Sequence, residues 1–315
     1  MPASISDSFE ELLVRPARDN DAAAVVAFCQ HIWDGNDYVD EEMFDIWLHQ
    51  TPGPMLVGEL AGRPVALAKI AIHADGHAWF QGLRVDPDVQ GRGIARRMHE
   101  ASESAAAAAG VSTWALLTVD AGPTAVQHLC DARGWTIQGQ TRYLRLLPES
   151  DDGAPPQTAA LHLLDAADFP TLTASLDSAP SLTALGGWYT LDWECAPFTT
   201  DKLLAHLRAH QVWALPDRRA WGIVTVTPGD SAWWAFATGS APDLATLARS
   251  LYTQICCVQR LPLALHVPTD TPWDTACRHA HFWRDPEHPP KQFRLYVKRH
   301  DSRMPQGQDP YESHA

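Results

Sequence analysis

One short stretch constrains the fold of this chain more than any other: residues 83–97, with the sequence LRVDPDVQGRGIARR. It begins as an apolar strand, continues through a loop that holds Gly91 and Gly93, and ends as a helix. Glycines let a backbone approach an anion closely, and the unpaired N–H groups of a helix's first turn point toward such a loop. Arg92, Arg96 and Arg97 add positive charge. The stretch therefore predicts a strand, a loop suited to a pyrophosphate, and a helix.

Two common nucleotide-binding loops do not fit this stretch. The dinucleotide fingerprint G-x-G-x-x-G fails because Arg96 stands at the third glycine position. The phosphate loop of nucleotide triphosphatases fails because the stretch contains no Gly-Lys-Ser or Gly-Lys-Thr.

Hydrophobic periodicity and turn residues divide residues 12–146 into ten elements, in the order β-α-α-β-β-β-α-β-α-β. The predicted elements are strand 12–15, helix 22–32, helix 43–49, strands 55–60, 65–73 and 78–85, helix 93–109, strand 111–119, helix 124–132, and a strand pair within 135–146. This order predicts an α/β fold with a mixed sheet and helices on both faces.

Residues 148–157, PESDDGAPPQ, combine three prolines, a glycine and three acids, which predicts a linker. A domain of residues 1–147 precedes it, and a domain of residues 158–300 follows. The polar tail 301–315 is expected to be flexible. The second block repeats a strand, a long helix, a strand, a short helix and a strand in the same order as the first, which indicates a duplicated domain.

The segment V-D-P-x-x-Q-G-R-G-I-A-R resembles the acetyl-CoA-binding motif Q/R-x-x-G-x-G/A of the GNAT superfamily of N-acetyltransferases. The element order of residues 12–146 is also similar to that family's fold. The resemblance implies an enzyme that transfers an acetyl group from acetyl-CoA to an amine by direct attack in a ternary complex. It implies two tandem GNAT-like domains, of which the first is catalytic.

The resemblance also implies how acetyl-CoA binds. The backbone of residues 83–85 contacts the acetyl and pantetheine portion, the N–H groups of residues 91–95 hold the pyrophosphate, and the parted edge between the strands at Leu83 and Leu116 receives the pantetheine arm. The expected acetyl-CoA-binding residues are Leu83, Arg84, Val85, Gln90, Gly91, Arg92, Gly93, Ile94, Ala95 and Arg96.

The attacking amine must lose a proton, because an alkylammonium with a pKa near 10 is not a nucleophile at pH 7. The family often uses a Glu near the start of its fourth strand as the base, and the resemblance puts His77 at that position. A histidine, with an ordinary pKa near 6.5, suits the task. The alternatives are that His77 is a solvent-facing turn residue, and that His73 or Glu59 is the base.

The family's general acid is commonly a Tyr in a terminal L-Y-x-x-x-G-F, and this chain has L-C-D-A-R-G-W at residues 129–135. The match puts Cys130 in the place of the Tyr, and Pro123 stands where the family often has Asn. Cys130 could protonate the leaving thiolate, since the two thiols have similar pKa values, or it is simply a small buried residue. Tyr143 is another candidate donor.

Acids and aromatic residues crowd the region after the first helix, which usually shapes the acceptor site in this family. Such a mixture favours a cationic amine through charge and cation–π attraction, unless it is only a solvated acidic loop with core aromatics. The segment W-D-G-N-D-Y-V also resembles one in GNAT enzymes that act on small molecules such as amino acids. The candidate acceptor residues are Trp33, Asp37, Tyr38 and Trp47.

The second block lacks the anion loop. The corresponding segment, ATGSAPDLATLARS, contains Gly239 alone, and Asp243 near the helix start would repel phosphate. This predicts a degenerate GNAT-like domain without an acetyl-CoA site, which completes the substrate pocket or fixes assembly.

Composition narrows the possible partners. The formal net charge of −14 argues against binding to nucleic acid or to an anionic membrane surface. No apolar run approaches a membrane span, and the first residues show no secretory signal, so a cytoplasmic protein is expected. The six cysteines and fifteen histidines have no metal-ligand spacing, and no metal is expected. The expected partner is a small amine, bound by a monomer or a homodimer. A protein N-terminus or lysine as acceptor, or a non-catalytic acyl-CoA-binding module, are the alternatives.

Overall fold

The computed structural model describes residues 12–32, 35, 37–120, 122, 124–147, 158–227, 231–279 and 291–300. Contacts group the chain into two compact units, Met1–Leu116 with Lys298–Ala315, and Leu117–Val297. The predicted linker 148–157 and the predicted tail 301–315 lie outside the described residues.

The first ten helices and strands follow the order predicted from the sequence. They are β1 (Leu13–Pro16), α1 (Ala22–Cys29), α2 (Glu41–Asp45), β2 (Met55–Leu60), β3 (Arg63–Ile72), β4 (His77–Val85), α3 (Ile94–Ala108), β5 (Thr113–Val119), α4 (Ala125–Ala132) and β6 (Thr136–Leu146). A π-helical turn, Ile46–Gln50, extends α2, and a 3-10 turn, Pro87–Val89, follows β4.

The sheet of the first unit has the strand order β1-β2-β3-β4-β5. Neighbours are antiparallel except β4 and β5, which are parallel because α3 crosses between them. Val57 belongs to the apolar cluster formed with α1 and α2, whereas a Cβ on the next residue, Gly58, would meet the sulfur of Met98 on α3. Since successive residues of a strand face opposite sides, helices cover both faces of this mixed sheet, as predicted.

The remaining elements of the chain are β7 (His162–Leu164), α5 (Phe169–Leu176), α6 (Pro180–Ala184), β8 (Trp188–Leu191), β9 (Glu194–Pro197), α7 (Thr200–Arg208), β10 (Val212–Ala214), β11 (Ala220–Thr227), β12 (Ser231–Gly239), α8 (Ala241–Tyr252), β13 (Leu263–Pro268), α9 (Pro272–His279) and β14 (Lys291–Arg299). The sheet of the second unit has the order β14-β6-β13-β12-β11-β10-β7, and β8 and β9 form a separate hairpin. The parallel neighbours β12 and β13 flank α8 as β4 and β5 flank α3, which is the expected duplication.

Two sequence-based predictions were wrong in detail. Residues 135–146 were expected to form a strand pair, but β6 is one continuous strand. Gly139, in the middle of this strand, is a point of close approach, because a Cβ there would lie 2.3 Å from the carbonyl oxygen of Ala184. The sequence pattern also did not predict α6, the β8–β9 hairpin and α7, which lie between α5 and β10.

Within the described parts of the chain, none of the helices has both the length and the apolar character that a bilayer crossing requires.

Candidate functional site

An irregularity in β4 shapes the centre of the first unit. Lys69 of β3 is opposite Gln81 and Leu67 is opposite Arg84, so β4 carries one extra residue over this interval. Gly82 lies in the bulge with φ +67°, and a Cβ there would be 2.4 Å from the ring of Trp47. Only glycine fits both the backbone conformation and this contact. Trp47, a predicted acceptor residue, is therefore a buried ring packed against the backbone of β4.

The strands β4 and β5 part just before this bulge. Their parallel pairing includes His77, Ala78 and Trp79, opposite Thr113, Trp114 and Ala115, and goes no further among the described residues. Beyond that point Gln81, Leu83 and Val85 are only half-buried. The parting occurs between the strands where the sequence predicts the pantetheine arm.

The loop after β4 presents an open cradle of backbone. The Asp86 carboxylate accepts a hydrogen bond from the backbone N–H of Asp88, and the Gln90 side chain donates to the Val85 carbonyl oxygen. Gly91 and Gly93 have φ angles of +78° and +74°, and a Cβ on either would meet no heavy atom of the described residues within 4 Å. Since the space over both glycines is open, an anion can approach the first turn of α3.

The charges around the loop suit an anion as well. Arg92 and Arg96 are exposed, while the Arg97 guanidinium donates to the Leu12 carbonyl oxygen at 2.8 Å. Ile94 is buried and fixes the start of α3, and Ala95 is half-buried in the same turn. The predicted pyrophosphate residues thus share one loop and one helix start, and this residue set fits a diphosphate.

The predicted base, His77, begins β4 and is 2% exposed, which rules out a solvent-facing turn histidine. Its Nδ1 lies 2.5 Å from Asp75 Oδ1, and its ring stacks on that of His73 with centroids 4.3 Å apart. The third candidate, Glu59, accepts a hydrogen bond from Arg15 at 2.7 Å and belongs to an ion-pair group at the β1–β2 edge. The structure therefore brings His73 and His77 together and places Glu59 elsewhere.

A buried ion pair joins two predicted site residues. Arg84 Nε lies 2.5 Å from Asp37 Oδ2, Nη2 lies 3.2 Å from Oδ1, and the Asp37 side chain has no exposed surface. The Arg84 guanidinium also lies 5.1 Å from the centroid of the Tyr38 ring. Asp37 therefore neutralises Arg84, and as placed it does not face an acceptor directly.

The other acceptor candidates differ in exposure. Tyr38 is 48% exposed and meets Trp47 edge-to-face with centroids 6.0 Å apart, whereas Trp33 lies outside the described residues. Asp40 caps α2, and the Asp45 carboxylate lies 3.0 Å from His49 Nδ1. These carboxylates therefore have local hydrogen-bond partners, but among Asp37, Asp40 and Asp45 only Asp37 is paired with an arginine.

The two candidate acids lie on separate elements of the second unit. Cys130 on α4 has no exposed surface. Tyr143 on β6 is buried in an aromatic cluster, with its ring centroid 4.7 Å from that of Trp193 and 5.1 Å from that of His266. Burial of this kind supports a packing role for Cys130 rather than a donor role.

The strands β12 and β13 pair over two residues and then part, and the sequence did not indicate which groups bond to β12 beyond that point. The Ser181 hydroxyl of α6 donates to the Ala237 carbonyl oxygen at 2.7 Å, and the Thr190 hydroxyl of β8 donates to the Ala235 carbonyl oxygen at 3.2 Å. Both acceptors belong to β12, the counterpart of β4. The signal was weak, because Pro180, Gly186 and Gly187 interrupt the segment and hide its short elements.

Comparison with known proteins adds to this geometry. Residues 21–135 match the sequence model of the acetyltransferase (GNAT) family. No curated protein matches the chain at a significant level.

Solved structures resemble the chain over nearly its full length. A GCN5-related N-acetyltransferase from Sphaerobacter thermophilus is 14% identical with a TM-score of 0.60, and the match covers 91% of this chain and 95% of that one. A tandem GNAT protein from the clavulanic acid biosynthesis pathway is 15% identical with a TM-score of 0.53, and the match covers 92% and 98%. At such identities the similarity establishes the fold of the whole chain.

Proposed function

Because residues 21–135 belong to the acetyltransferase (GNAT) family and the whole chain has the fold of tandem GNAT proteins, we propose that this enzyme moves an acetyl group from acetyl-CoA to a primary amine of a small acceptor. The observation that carries the proposal is the open glycine loop at the start of α3, directly after a strand that has parted from its parallel neighbour.

The binding residues follow from that geometry. Backbone N–H groups of residues 91–95 hold the pyrophosphate, helped by Arg92 and Arg96. The half-buried edge of β4 at Leu83 and Val85 offers backbone groups to the pantetheine arm. Bound acetyl-CoA supplies a thioester whose carbonyl carbon an amine can attack.

The chain's own part in the reaction is to manage protons. In the proposed step the acceptor nitrogen forms a bond to the acetyl carbon, the carbon–sulfur bond breaks, and the nitrogen loses a proton. Asp75 next to Nδ1 favours the tautomer in which His77 donates from Nδ1 and carries its basic lone pair on Nε2. His77 is therefore the proposed proton acceptor, with Asp75 as the group that orients it. Of the candidate acids, Cys130 is not favoured, because it has no exposed surface.

The acceptor side rests on aromatic walls. The half-exposed Tyr38 ring offers surface beside the bulge, and the buried Trp47 ring packs against it edge-to-face. Asp37 acts through Arg84 by holding its guanidinium in place. A small amine with an apolar or cationic body fits such walls.

The second unit is proposed not to bind acetyl-CoA. Ser181 and Thr190 occupy backbone acceptors of β12, and the segment after β12 has no pair of glycines.

The first test is a thermal-shift titration with acetyl-CoA. Ligand at about 100 times its Kd stabilises a folded protein by about 2.7 kcal/mol, which corresponds to roughly 5–11 °C for a domain of 150–250 residues. Gly93→Asp places a carboxylate in the cradle and should weaken binding at least about 100-fold. Gly110→Asp is the matched control, because Gly110 follows the same helix at φ +76° in equally open space.

Turnover is measured separately, as CoA thiol release with a panel of small amines. His77→Ala should lower kcat while acetyl-CoA still binds. Binding without turnover by any amine or by peptide N-termini would instead favour the acyl-CoA-binding module, and no binding at millimolar acetyl-CoA would refute the proposal.

A further inference from the structure

A cavity of about 280 Å³ lies in the second unit, away from the parted strands. Its walls are the turn between β10 and β11, the chain around the end of α5, and the end of β12, with the Trp221 ring among them. The lining residues are Ser175, Ser178, Pro180, Arg218, Arg219, Trp221, Thr238 and Gly239. This volume is slightly below the usual range for ligand pockets, roughly 300–1,000 Å³, so it suits a small molecule rather than a nucleotide cofactor.

The cavity wall carries positive charge only. Among the described residues that line it, Arg218 and Arg219 are the charged ones, and none is an acid. Arg218 Nη2 lies 2.5 Å from Asp168 Oδ1, and Arg219 Nε lies 2.7 Å from Asp217 Oδ2. Each guanidinium has five N–H donors in a fixed fork, so these ion pairs hold the two side chains in place and leave further donors for a ligand.

In the first unit, the arginine beside the corresponding turn is paired with a buried aspartate. There Arg63, which follows the turn between β2 and β3, pairs through Nη2 with Asp86, whose side chain is buried at the end of β4. In the second unit Gly239 and Ser240 stand at the end of β12, and neither carries a carboxylate. The first acid after β12 in the chain is Asp243, whose carboxylate lies 3.8 Å from the Arg219 guanidinium. In the second unit the two adjacent arginines thus pair with Asp168 and Asp217, and no carboxylate at the end of β12 takes the place of Asp86.

Hydroxyl groups complete the lining. The Ser175 hydroxyl donates to the Leu172 carbonyl oxygen at 2.7 Å and accepts from the Trp221 indole N–H at 3.2 Å, so this part of the wall is already fixed. Ser178 and Thr238 add hydroxyls beside the arginines. Paired guanidinium groups with nearby hydroxyls are the donor set that phosphate and carboxylate oxygens prefer.

We propose that this cavity binds a small organic oxyanion, a phosphate monoester or a carboxylate, through Arg218 and Arg219. The site lies within the unit that has no glycine loop, and it gives that unit a ligand of its own. The proposal does not depend on acetyl transfer, and its test uses no activity measurement.

The test is a thermal-shift titration of the full chain in the Gly93→Asp background, so that the loop of the first unit does not compete for anions. Inorganic phosphate and benzoate are titrated separately against chloride at constant ionic strength, which distinguishes the two kinds of oxyanion. At least one probe should raise Tm, and Arg218→Gln/Arg219→Gln should weaken its Kd about tenfold or more. Arg249→Gln is the matched control, since Arg249 is an exposed arginine on α8 outside the cavity.

Arginine labelling with phenylglyoxal provides a second readout that needs no cavity variant. The bound probe should slow modification of Arg218 and Arg219 in the Gly93→Asp chain, but not that of Arg249. The proposal is overturned if neither probe shifts Tm or protects these arginines. It is equally overturned if the double variant, folded as judged by circular dichroism, binds the probe as well as its parent.

Discussion

The two parted strand pairs of this chain share a backbone geometry and differ in what lies along it. β4 and β5 are paired over three residues and β12 and β13 over two, and both β4 and β12 carry one extra residue opposite the preceding strand. After Phe80, however, alternate residues of β4 are half-buried, whereas β12 is buried from Ser231 to Thr238. The fold alone therefore does not make a binding cleft.

Side chains and loops make the difference. β4 contains His77, Gln81 and Arg84, while β12 contains no charged or amide side chain. β4 leads to an open pair of glycines, but β12 leads directly into α8, where Ser240 accepts a hydrogen bond from the backbone N–H of Asp243. Hydroxyls of α6 and β8 thus bond to carbonyls of β12, whereas the carbonyls of Leu83 and Val85 on β4 accept from the side chains of Arg84 and Gln90.

The largest expected effect concerns the ion pair on β4, which β12 lacks. Asp37→Ala leaves the buried Arg84 guanidinium without its carboxylate, and breaking a buried pair in this way costs about 3–5 kcal/mol of unfolding free energy. Urea unfolding at pH 7 measures the loss. Asp217→Ala, which removes an exposed partner of Arg219, should lower the unfolding free energy far less, because solvent screens an exposed ion pair. Equal losses in the two variants would mean that the Asp37–Arg84 pair is not a buried support of the site.

The next effect concerns the bulge of β4. Gly82→Ala forces a Cβ into the Trp47 ring at a positive φ angle, so we expect a loss of about 2–4 kcal/mol together with weaker acetyl-CoA binding. Gly76→Ala has a similar strain, at φ +81°, but its Cβ meets no heavy atom within 4 Å. The difference between the variants in urea unfolding isolates the contact with Trp47. Equal losses of unfolding free energy in the two variants would mean that the Trp47 ring does not require a glycine at position 82.

The sequence was sufficient to predict features whose residues are neighbours along the chain. Gly91, Gly93 and the strand and helix around them lie within one short stretch, and it predicted both the loop and the start of α3. The Asp37–Arg84 pair could not be predicted, because it joins residues 47 positions apart and depends on how α1 and α2 pack over β4. The close approach of Gly139 to Ala184 could not be predicted for a similar reason, since it joins residues far apart in the chain.

A smaller effect concerns Lys69, a charged residue in the middle of β3, whereas its counterpart β11 has no charged residue. The ammonium group is buried and donates to the carbonyl oxygens of Thr51 and Gly53 at 2.8 and 2.7 Å, and burial lowers its pKa to about 8. Above pH 8 the unfolded chain, with an ordinary lysine pKa near 10.4, binds more protons than the folded one, so this group makes stability rise with pH.

From pH 7 to pH 9 the Lys69 contribution should be about 1 kcal/mol. It is measured as the difference between wild type and Lys69→Met in urea unfolding at the two pH values. Groups that titrate in both proteins cancel in this difference. The unfolding free energy of wild type minus that of Lys69→Met should rise from pH 7 to pH 9. A value that stays constant or falls would contradict the lowered pKa.

The smallest expected change in unfolding free energy concerns the two hydroxyl groups bonded to β12. It also tests whether these hydroxyls account for the difference between β12 and β4. Ser181→Ala and Thr190→Val each remove one hydroxyl donor to β12, which should cost about 1 kcal/mol. Thr183→Val is the control, because the Thr183 hydroxyl bonds at 3.4 Å to a carbonyl of its own chain segment, Ala179, rather than to β12.

We expect calorimetry to find one acetyl-CoA per chain in wild type and in the Ser181→Ala/Thr190→Val variant alike. Freeing the β12 carbonyls does not supply a glycine cradle, and Ser240 still caps α8. A second equivalent bound by the double variant would instead mean that the two hydroxyls alone keep β12 from acting as β4 does.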